Sequence, residues 1–317
     1  MFCIGVDIGG MTIKAGLVDE NGKIILKRTC RTRVEDGESA IEDDIAVLCE
    51  KVMIDASVEK SEIKGVGVGC PGTVNSATGM VMYASNLNLE HVKLADELRK
   101  RLGFEVVVNN DANCAALGET VFCEEKEIKD TLFITIGTGI GTGIIVNGKI
   151  FEGTNGEGAE GGHICIRMNG KKCSCGERGC FEAYASASAL IEQTKEAMKK
   201  NPDSIMNALA NEKGTVDATI AFEGYKKGDV ASTKVVKRYV KYLATGTVSL
   251  VNIFRPYIVF IGGGVSNEGD YFIDMIRKEV KKHVFGGKRN MIPEVRRAKL
   301  GNEAGIVGAV SPFMVKR

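Results

Sequence analysis

The sequence predicts an α/β protein built as two lobes, and three observations carry that expectation. First, apolar runs each end in a glycine turn: residues 2–7 run into Gly9-Gly10, 132–136 into Gly137-Thr138-Gly139-Ile140-Gly141-Thr142-Gly143, and 257–261 into Gly262-Gly263-Gly264. Second, long segments between them carry apolar residues at helical period. Third, one order of features recurs: Ile8-Gly9-Gly10 … Asn21-Gly22-Lys23-Ile24 and Ile136-Gly137-Thr138 … Asn147-Gly148-Lys149-Ile150. Strand, glycine turn, strand, Asn-Gly-Lys-Ile reads as a hairpin unit duplicated once per lobe, with chance recurrence of glycine-rich hairpins as the alternative.

Residues 2–7, 11–18 and 23–29 are read as three strands, with a type I′ turn at Asn21-Gly22. A helix follows over 39–57, with Ser39 and Glu42 as a capping box and Ile41, Ile45, Leu48 and Val52 as its buried stripe. Residues 66–69 form a strand that ends at Pro71-Gly72. A helix over 94–102 stops at Gly103, a strand covers 105–109, and a helix covers 112–121. A second type I′ turn is expected at Asn147-Gly148. Helices follow over 185–200, 216–227, 230–254 and 270–285, and a last one over 305–315 docks back on the first lobe. The lobes divide as 1–111 (with the segment at about 303–317 packed back on it) and 112–302.

The net charge is +1 in 317 residues, with both signs interleaved, which argues against a nucleic-acid or membrane surface. No apolar run approaches the ~18 residues that span a bilayer. The first residues show no basic segment of a signal peptide, so a cytoplasmic, reducing location is expected. Ten cysteines are then thiols, and Cys3, Cys30, Cys49, Cys70, Cys114, Cys123 and Cys165 are read as small buried apolar residues.

The other three cysteines are different. Cys173, Cys175 and Cys180 are spaced C-x-C-x4-C, and His163 stands ten residues upstream. Thiolate and imidazole suit tetrahedral zinc, and four protein ligands leave no open position, so a structural ion is expected rather than a catalytic one or free thiols. Glu160 and Glu182 flank the loop, and a metal that folds it also fixes them. The glycine turns can bring backbone N–H groups close to phosphate oxygens, although neither a P-loop nor a dinucleotide fingerprint is present. Asp111, where a strand meets a helix, is either an ordinary N-cap or a carboxylate placed to accept a hydroxyl proton. Asp7 is open in the same way, as a buried strand-end acid or as a group near Mg²⁺.

Together these motifs resemble the ROK family of sugar kinases and repressors, and within it the bacterial ATP-dependent glucokinases. Asp7-Ile8-Gly9-Gly10-Met11-Thr12-Ile13-Lys14 is similar to the family's first phosphate motif, and 137–143 to its second. Cys70-Pro71-Gly72-Thr73-Val74 and Ser85-Asn86-Leu87 resemble sugar-side loops, Asn109-Asn110-Asp111 the catalytic segment, and Glu160-Gly161-Gly162-His163 the sugar-binding E-x-G-H. Residues 173–182 match C-x-C-G-x2-G-C-x-E in full. The resemblance implies an actin/Hsp70/hexokinase-like fold (ribonuclease H-like and duplicated) with a central cleft and a zinc-bound loop. It implies ATP-dependent phosphorylation of a hexose 6-hydroxyl, glucose first, with Asp111 as general base. Gly72, Asn86, Asn110, Asp111, Glu160, His163 and Glu182 would contact the sugar. Gly9, Gly10, Thr12, Lys14, Gly137, Thr138 and Gly139 would hold phosphates, Gly263, Gly264 and Glu303 would lie near the adenosine, and Asp7 would help position Mg²⁺. His163, Cys173, Cys175 and Cys180 would bind structural Zn²⁺. A homodimer or homotetramer is implied. Met11 replaces the usual threonine of the first motif, and the tryptophan common in glucokinases is missing, which leaves N-acetylmannosamine, fructose and allose as alternative substrates. A sugar-binding protein without catalysis is a further alternative. A DNA-binding repressor is disfavoured, because the chain starts at its first strand and has no basic patch.

Overall fold

In the computed structural model, residues 1–314 are described apart from 124, 126 and the side chain of Lys288; the expected end of the last helix at 315 and the segment to 317 lie outside the described residues. β1 (Phe2–Ile8) pairs antiparallel with β2 (Thr12–Val18), and β2 with the edge strand β3 (Ile24–Arg31). The turn between β2 and β3 is not the expected type I′. Only Gly22 takes a positive φ, 80°. Its N–H donates to the Asp19 carbonyl at 3.0 Å, while Asp19 Oδ1 accepts from the Asn21 and Lys23 N–H groups at 2.9 Å each. An aspartate that collects two backbone donors selects an ordinary turn closed by one left-handed glycine, with a register shift at Leu17/Val18. At Asn147-Gly148 both φ angles are positive, 53° and 75°, as a type I′ turn requires.

α1 (Glu38–Ala56) buries the expected Ile41, Ile45, Leu48 and Val52. Its capping box does not form. The helix starts after Gly37 with no side-chain cap, and Glu42 turns inward to meet the Arg101 guanidinium at 2.8 Å. β4 (Ile63–Cys70) is followed by a separate meander of β5 (Thr73–Asn75), β6 (Met80–Ala84) and β7 (Leu89–Val92). Next come α2 (Leu94–Leu102), closed by left-handed Gly103, then β8 (Val106–Asn110) and α3 (Asp111–Val121). β4 lies parallel to β1 and β8 parallel to β4, giving the order β3-β2-β1-β4-β8.

The pattern recurs with β9 (Thr131–Ile136), β10 (Ile140–Val146) and β11 (Lys149–Ile150). The helices α4 (Glu182–Ala185), α5 (Ala187–Lys200), α6 (Ile205–Lys213), α7 (Ile220–Lys226) and α8 (Val230–Phe254) precede β12 (Ile258–Gly262), α9 (Asp270–His283) and β13 (Glu294–Arg297). β12 is parallel to β9 and β13 parallel to β12, in the order β11-β10-β9-β12-β13. The second sheet thus repeats the strand order of the first, as expected of a duplicated actin/hexokinase-like α/β fold. The chain closes with α10 (Ala304–Ala309) and α11 (Ser311–Met314).

Two compact units divide the chain. The first holds Met1–Lys129, Gly143–Ala159 and the segment from Lys299 onward; the second holds Asp130–Thr142 and Glu160–Ala298. α3 belongs to the first unit, beyond the break expected at residue 111, because α10 seats on it: a Cβ on Gly308 would stand 1.6 Å from the Cys114 carbonyl oxygen. The same helix rests on β1 and β4, where a Cβ on Gly5 would fall 2.1 Å from the Ile306 oxygen and one on Gly67 1.9 Å from the Ala309 oxygen. Ile4, Val6, Ile45, Val66, Val68, Leu98 and Val106 fill the other side of that sheet. In the second unit the buried rings of Phe222, Tyr239 and Phe272 pack with centroids 5.1–6.4 Å apart. Among the described residues no helix is long and apolar enough to cross a membrane.

Candidate active site

In the first unit the junction of β8 and α3 is built by consecutive polar residues. Asn110 has extended backbone (φ −62°, ψ 145°) and is the N-cap of α3: its Oδ1 accepts from the N–H groups of Ala112 at 2.9 Å and Asn113 at 3.1 Å. Its Nδ2 donates to the Gly72 carbonyl at 2.9 Å. Asp111 is therefore not the cap but the first helical residue, half-buried, with Oδ1 2.8 Å from the Ala112 N–H. Negative charge is favoured at that end of a helix. Cys70 and Cys114 lie nearby, and burial, followed by the Asp111 charge, pushes both thiols up, so they are inert neutral groups.

Gly72 has φ 91°, and a Cβ there would meet the Tyr83 carbonyl oxygen at 2.1 Å, so only glycine brings this backbone to Asn110. Exposed Asn86 sits in a single 3₁₀ turn, Ser85–Leu87, against Gly10: a Cβ on Gly10 would lie 3.4 Å from the Asn86 oxygen. The first glycine turn is held by Gly9 N–H on the Thr12 carbonyl at 2.9 Å and by Thr32 Oγ1 donating to the Gly9 carbonyl at 2.7 Å. Thr12 and Met11 are exposed on it. Asp7 pairs with Lys14 Nζ at 3.0 Å, and Glu303 with Lys27 Nζ at 2.8 Å. Sequence reasoning did not single out Glu152, whose carboxylate accepts from Asn109 Nδ2 at 2.8 Å and Ser76 Oγ at 2.5 Å. It belongs to no motif, and only the folded chain brings residues 76, 109 and 152 together.

In the second unit His163, Cys173, Cys175 and Cys180 place one ligand atom each within 4.8 Å of one another. Cys173 Sγ is 3.7 Å from His163 Nδ1, and Cys175 Sγ is 3.6 Å from Cys180 Sγ. Those separations match the edges of a tetrahedron around an ion with bonds of about 2.0–2.3 Å. Left-handed Gly176 and Gly179, φ 97° and 85°, shape the loop. Burial, with the neighbouring sulfurs, pushes the Cys180 thiol up, whereas the Glu177 backbone N–H holds exposed Cys175 down. A bound cation would hold both as thiolates.

Glu182 ties this loop to the second glycine turn. Its Oε1 accepts from Ser174 Oγ at 2.9 Å and its Oε2 from the Ile140 N–H at 2.9 Å; a Cβ on Gly139 would fall 2.3 Å from that second oxygen. Gly137 N–H bonds to the Gly139 carbonyl at 3.0 Å, and Ser188 Oγ donates to the Thr138 carbonyl at 2.8 Å. The third glycine turn lies against the second: Gly263, φ 81°, leaves no room for a Cβ, which would sit 2.4 Å from the Ile136 oxygen, while Gly264 is open. Glu160 is exposed, and its carbonyl accepts from the His163 N–H at 3.0 Å.

The ROK family model matches residues 3–315. The glucokinase of Thermotoga maritima is 38% identical over 309 residues, covering 97% of this chain and 96% of the relative. The xylose repressor of Bacillus subtilis is 29% identical over 313 residues, covering 98% of this chain and 76% of the repressor. A crystal structure of a ROK family glucokinase from Streptomyces griseus in complex with glucose and AMPPNP superposes with a TM-score of 0.82 at 34% identity, covering 98% of each chain. By the match of nearly its whole length, the chain belongs to the ROK family.

Proposed function

We propose that this chain is an ATP-dependent hexokinase that phosphorylates a hexose at its 6-hydroxyl, with glucose as the leading substrate and glucose 6-phosphate and ADP as products. The observation that carries this reading is the division of labour at the start of α3: Asn110 caps the helix, so Asp111 is not needed as its cap. Glucokinase relatives that span nearly the whole chain support it.

In the proposed reaction the sugar O6 attacks the γ-phosphorus of ATP. A new O6–P bond forms, the bond from that phosphorus to the ADP oxygen breaks, and the O6 proton passes to the Asp111 carboxylate. Gly72, Asn86 and Asn110, with Glu160, His163 and Glu182, orient the sugar hydroxyls. The backbone N–H groups of Gly9, Gly10 and Gly137–Gly139 and the Thr12 and Thr138 hydroxyls take the phosphate oxygens. Gly263, Gly264 and Glu303 are assigned to the adenosine side. Asp7 and Lys14 are assigned to the phosphate charge, where Mg²⁺ would neutralise the β- and γ-phosphates. The soft sulfur-rich donor set of His163, Cys173, Cys175 and Cys180 fits Zn²⁺ as a structural ion that holds Glu182 in place.

The test is a coupled ADP-release assay with ATP and Mg²⁺ over glucose, mannose, fructose, allose and N-acetylmannosamine. Turnover with glucose at the highest kcat/KM is expected. Absence of turnover on every hexose would leave sugar binding without catalysis, and preference for another hexose would replace glucose.

A further inference from the structure

Glu152 is the acceptor on which a chain of hydrogen bonds that ends at Asn110 and Asn113, on either side of the proposed base, converges. Its Oε2 takes the Ser76 hydroxyl at 2.5 Å and its Oε1 the Asn109 amide at 2.8 Å. That bond orients the Asn109 amide, because an ionised carboxylate can only accept. Asn109 Oδ1 is left to accept from the Asn110 backbone N–H at 2.7 Å and from Asn113 Nδ2 at 3.2 Å. Asn110 in turn caps α3 and donates to the Gly72 carbonyl. One half-buried carboxylate thus fastens three separate segments: the turn after β5, the residue two beyond β11, and the β8–α3 junction. The stretch after Glu152 is itself locked to β5, since a Cβ on Gly156 would meet the Val74 carbonyl oxygen at 2.0 Å.

We propose that Glu152 is a positioning residue for proton transfer: acting through Asn109, it fixes the backbone at the start of α3 so that the Asp111 carboxylate meets the hydroxyl it deprotonates. This rests on the hexokinase reading above. The chemistry separates positioning from a need for charge. In Glu152→Gln the amide oxygen can still accept from Asn109 and the amide nitrogen can donate to Ser76 Oγ, so the bridge survives without its charge. Glu152→Ala removes both acceptors and leaves the Asn109 amide free to turn over.

The experiment compares Glu152→Ala, Glu152→Gln, Asn109→Ala and the Glu152→Ala/Asn109→Ala pair with the wild type, by steady-state kinetics and by amide hydrogen exchange. Glu152→Ala is expected to lower kcat by about tenfold to a hundredfold, the cost of a small misplacement of a reacting group, with KM for ATP unchanged. Glu152→Gln should return to within about threefold of wild type, and the pair should be no slower than Asn109→Ala alone, because Asn109 makes the bonds through which Glu152 acts on the start of α3. Exchange at Ala112 and Asn113 should quicken in Glu152→Ala while β9 stays unchanged. Near-normal kcat in Glu152→Ala, losses that multiply in the pair, or a defect that Gln does not restore would each overturn the proposal. If the wild type phosphorylates no hexose, the hexokinase reading falls, and the exchange data still decide whether Glu152 holds the turn.

Discussion

Asp111→Asn should separate chemistry from stability, because Asn110 already caps α3. Asparagine keeps the shape and an acceptor oxygen for the Ala112 N–H but takes up no proton at neutral pH. Loss of a general base costs about 10²–10⁴ in rate, or about 2.7–5.5 kcal/mol of transition-state stabilisation. The stability cost is only the favourable charge at a helix N-terminus, about 0.3–1 kcal/mol. Asn110→Ala should do the reverse to stability. It removes the cap, worth about 1 kcal/mol, and the bond to Gly72, worth about 1 kcal/mol more. At roughly 2–4 °C per kcal/mol for a large chain, Tm should fall about 4–8 °C in Asn110→Ala and no more than about 4 °C in Asp111→Asn. The assays are ADP release, thermal denaturation, and calorimetric titration with glucose, since the chain has no tryptophan to report binding. Asp111→Asn should still bind glucose. If Asp111→Asn turned over within about tenfold of wild type, or lost more stability than Asn110→Ala, the assignment of base and cap would be wrong.

Elemental analysis should find about one zinc per chain, and chelation or Cys173→Ala should weaken hexose binding more than nucleotide binding; a larger loss on the nucleotide side would contradict the assignment of His163 and Glu182 to the sugar. Gly67→Ala should cost about 1–3 kcal/mol or more by pushing α10 off β4, whereas Gly264→Ala, with nothing within 4 Å, should leave Tm unchanged. Glu119 accepts from the Lys299 and Leu300 N–H groups, and burial raises its carboxyl above the ordinary glutamate range of about 4.3. A raised folded-state value favours the folded state below that range, and the advantage is lost as pH rises through it. The stability of wild type relative to Glu119→Gln, measured by urea unfolding, should therefore be greater at pH 4 than at pH 7; a difference that grows with pH would reverse the assignment.

What the sequence made legible follows from the range of the forces involved. α2 and α8 match their expected bounds because periodicity and a local stop or cap agree: Gly103 ends one, and Asp229 opens the other by accepting from the Ser232 N–H. The candidate metal cluster was legible because its four residues lie within eighteen positions, from His163 to Cys180. Long-range competition defeated the rest. Ser39 and Glu42 have capping-box spacing, but Arg101 from α2 draws Glu42 inward. Asn21-Gly22 has a hairpin sequence, but Asp19 claims the backbone donors. The helix expected over 216–227 starts only at Ile220, and α6 before it, capped by Ser204, went unread between Pro202 and Gly214. At the candidate site the strand-to-helix junction that carries Asp111 was legible, but which of two adjacent polar residues caps α3 depends on backbone angles that composition does not carry. Glu152 depends on tertiary folding altogether.

The seating of α10 on bare glycines in β1 and β4 has a consequence for synthesis. The two sides of that contact, Gly5 and Ile306, are separated by nearly the full length of the chain. While the ribosome is still translating the second unit, the first sheet exists with one face lined by glycines and no helix to cover it. The first unit is therefore begun before the second and closed after it. Its closure must wait until residues 304–310 have been made, and such sequence-distant pairing slows folding and prolongs exposure of apolar surface. Ile306 and Val310 fill the remaining gap beside Cys3 and Val18 only at that point. A message truncated before residue 304 would yield a nascent chain with a complete second sheet and an uncovered first one, a natural client for chaperones and proteases.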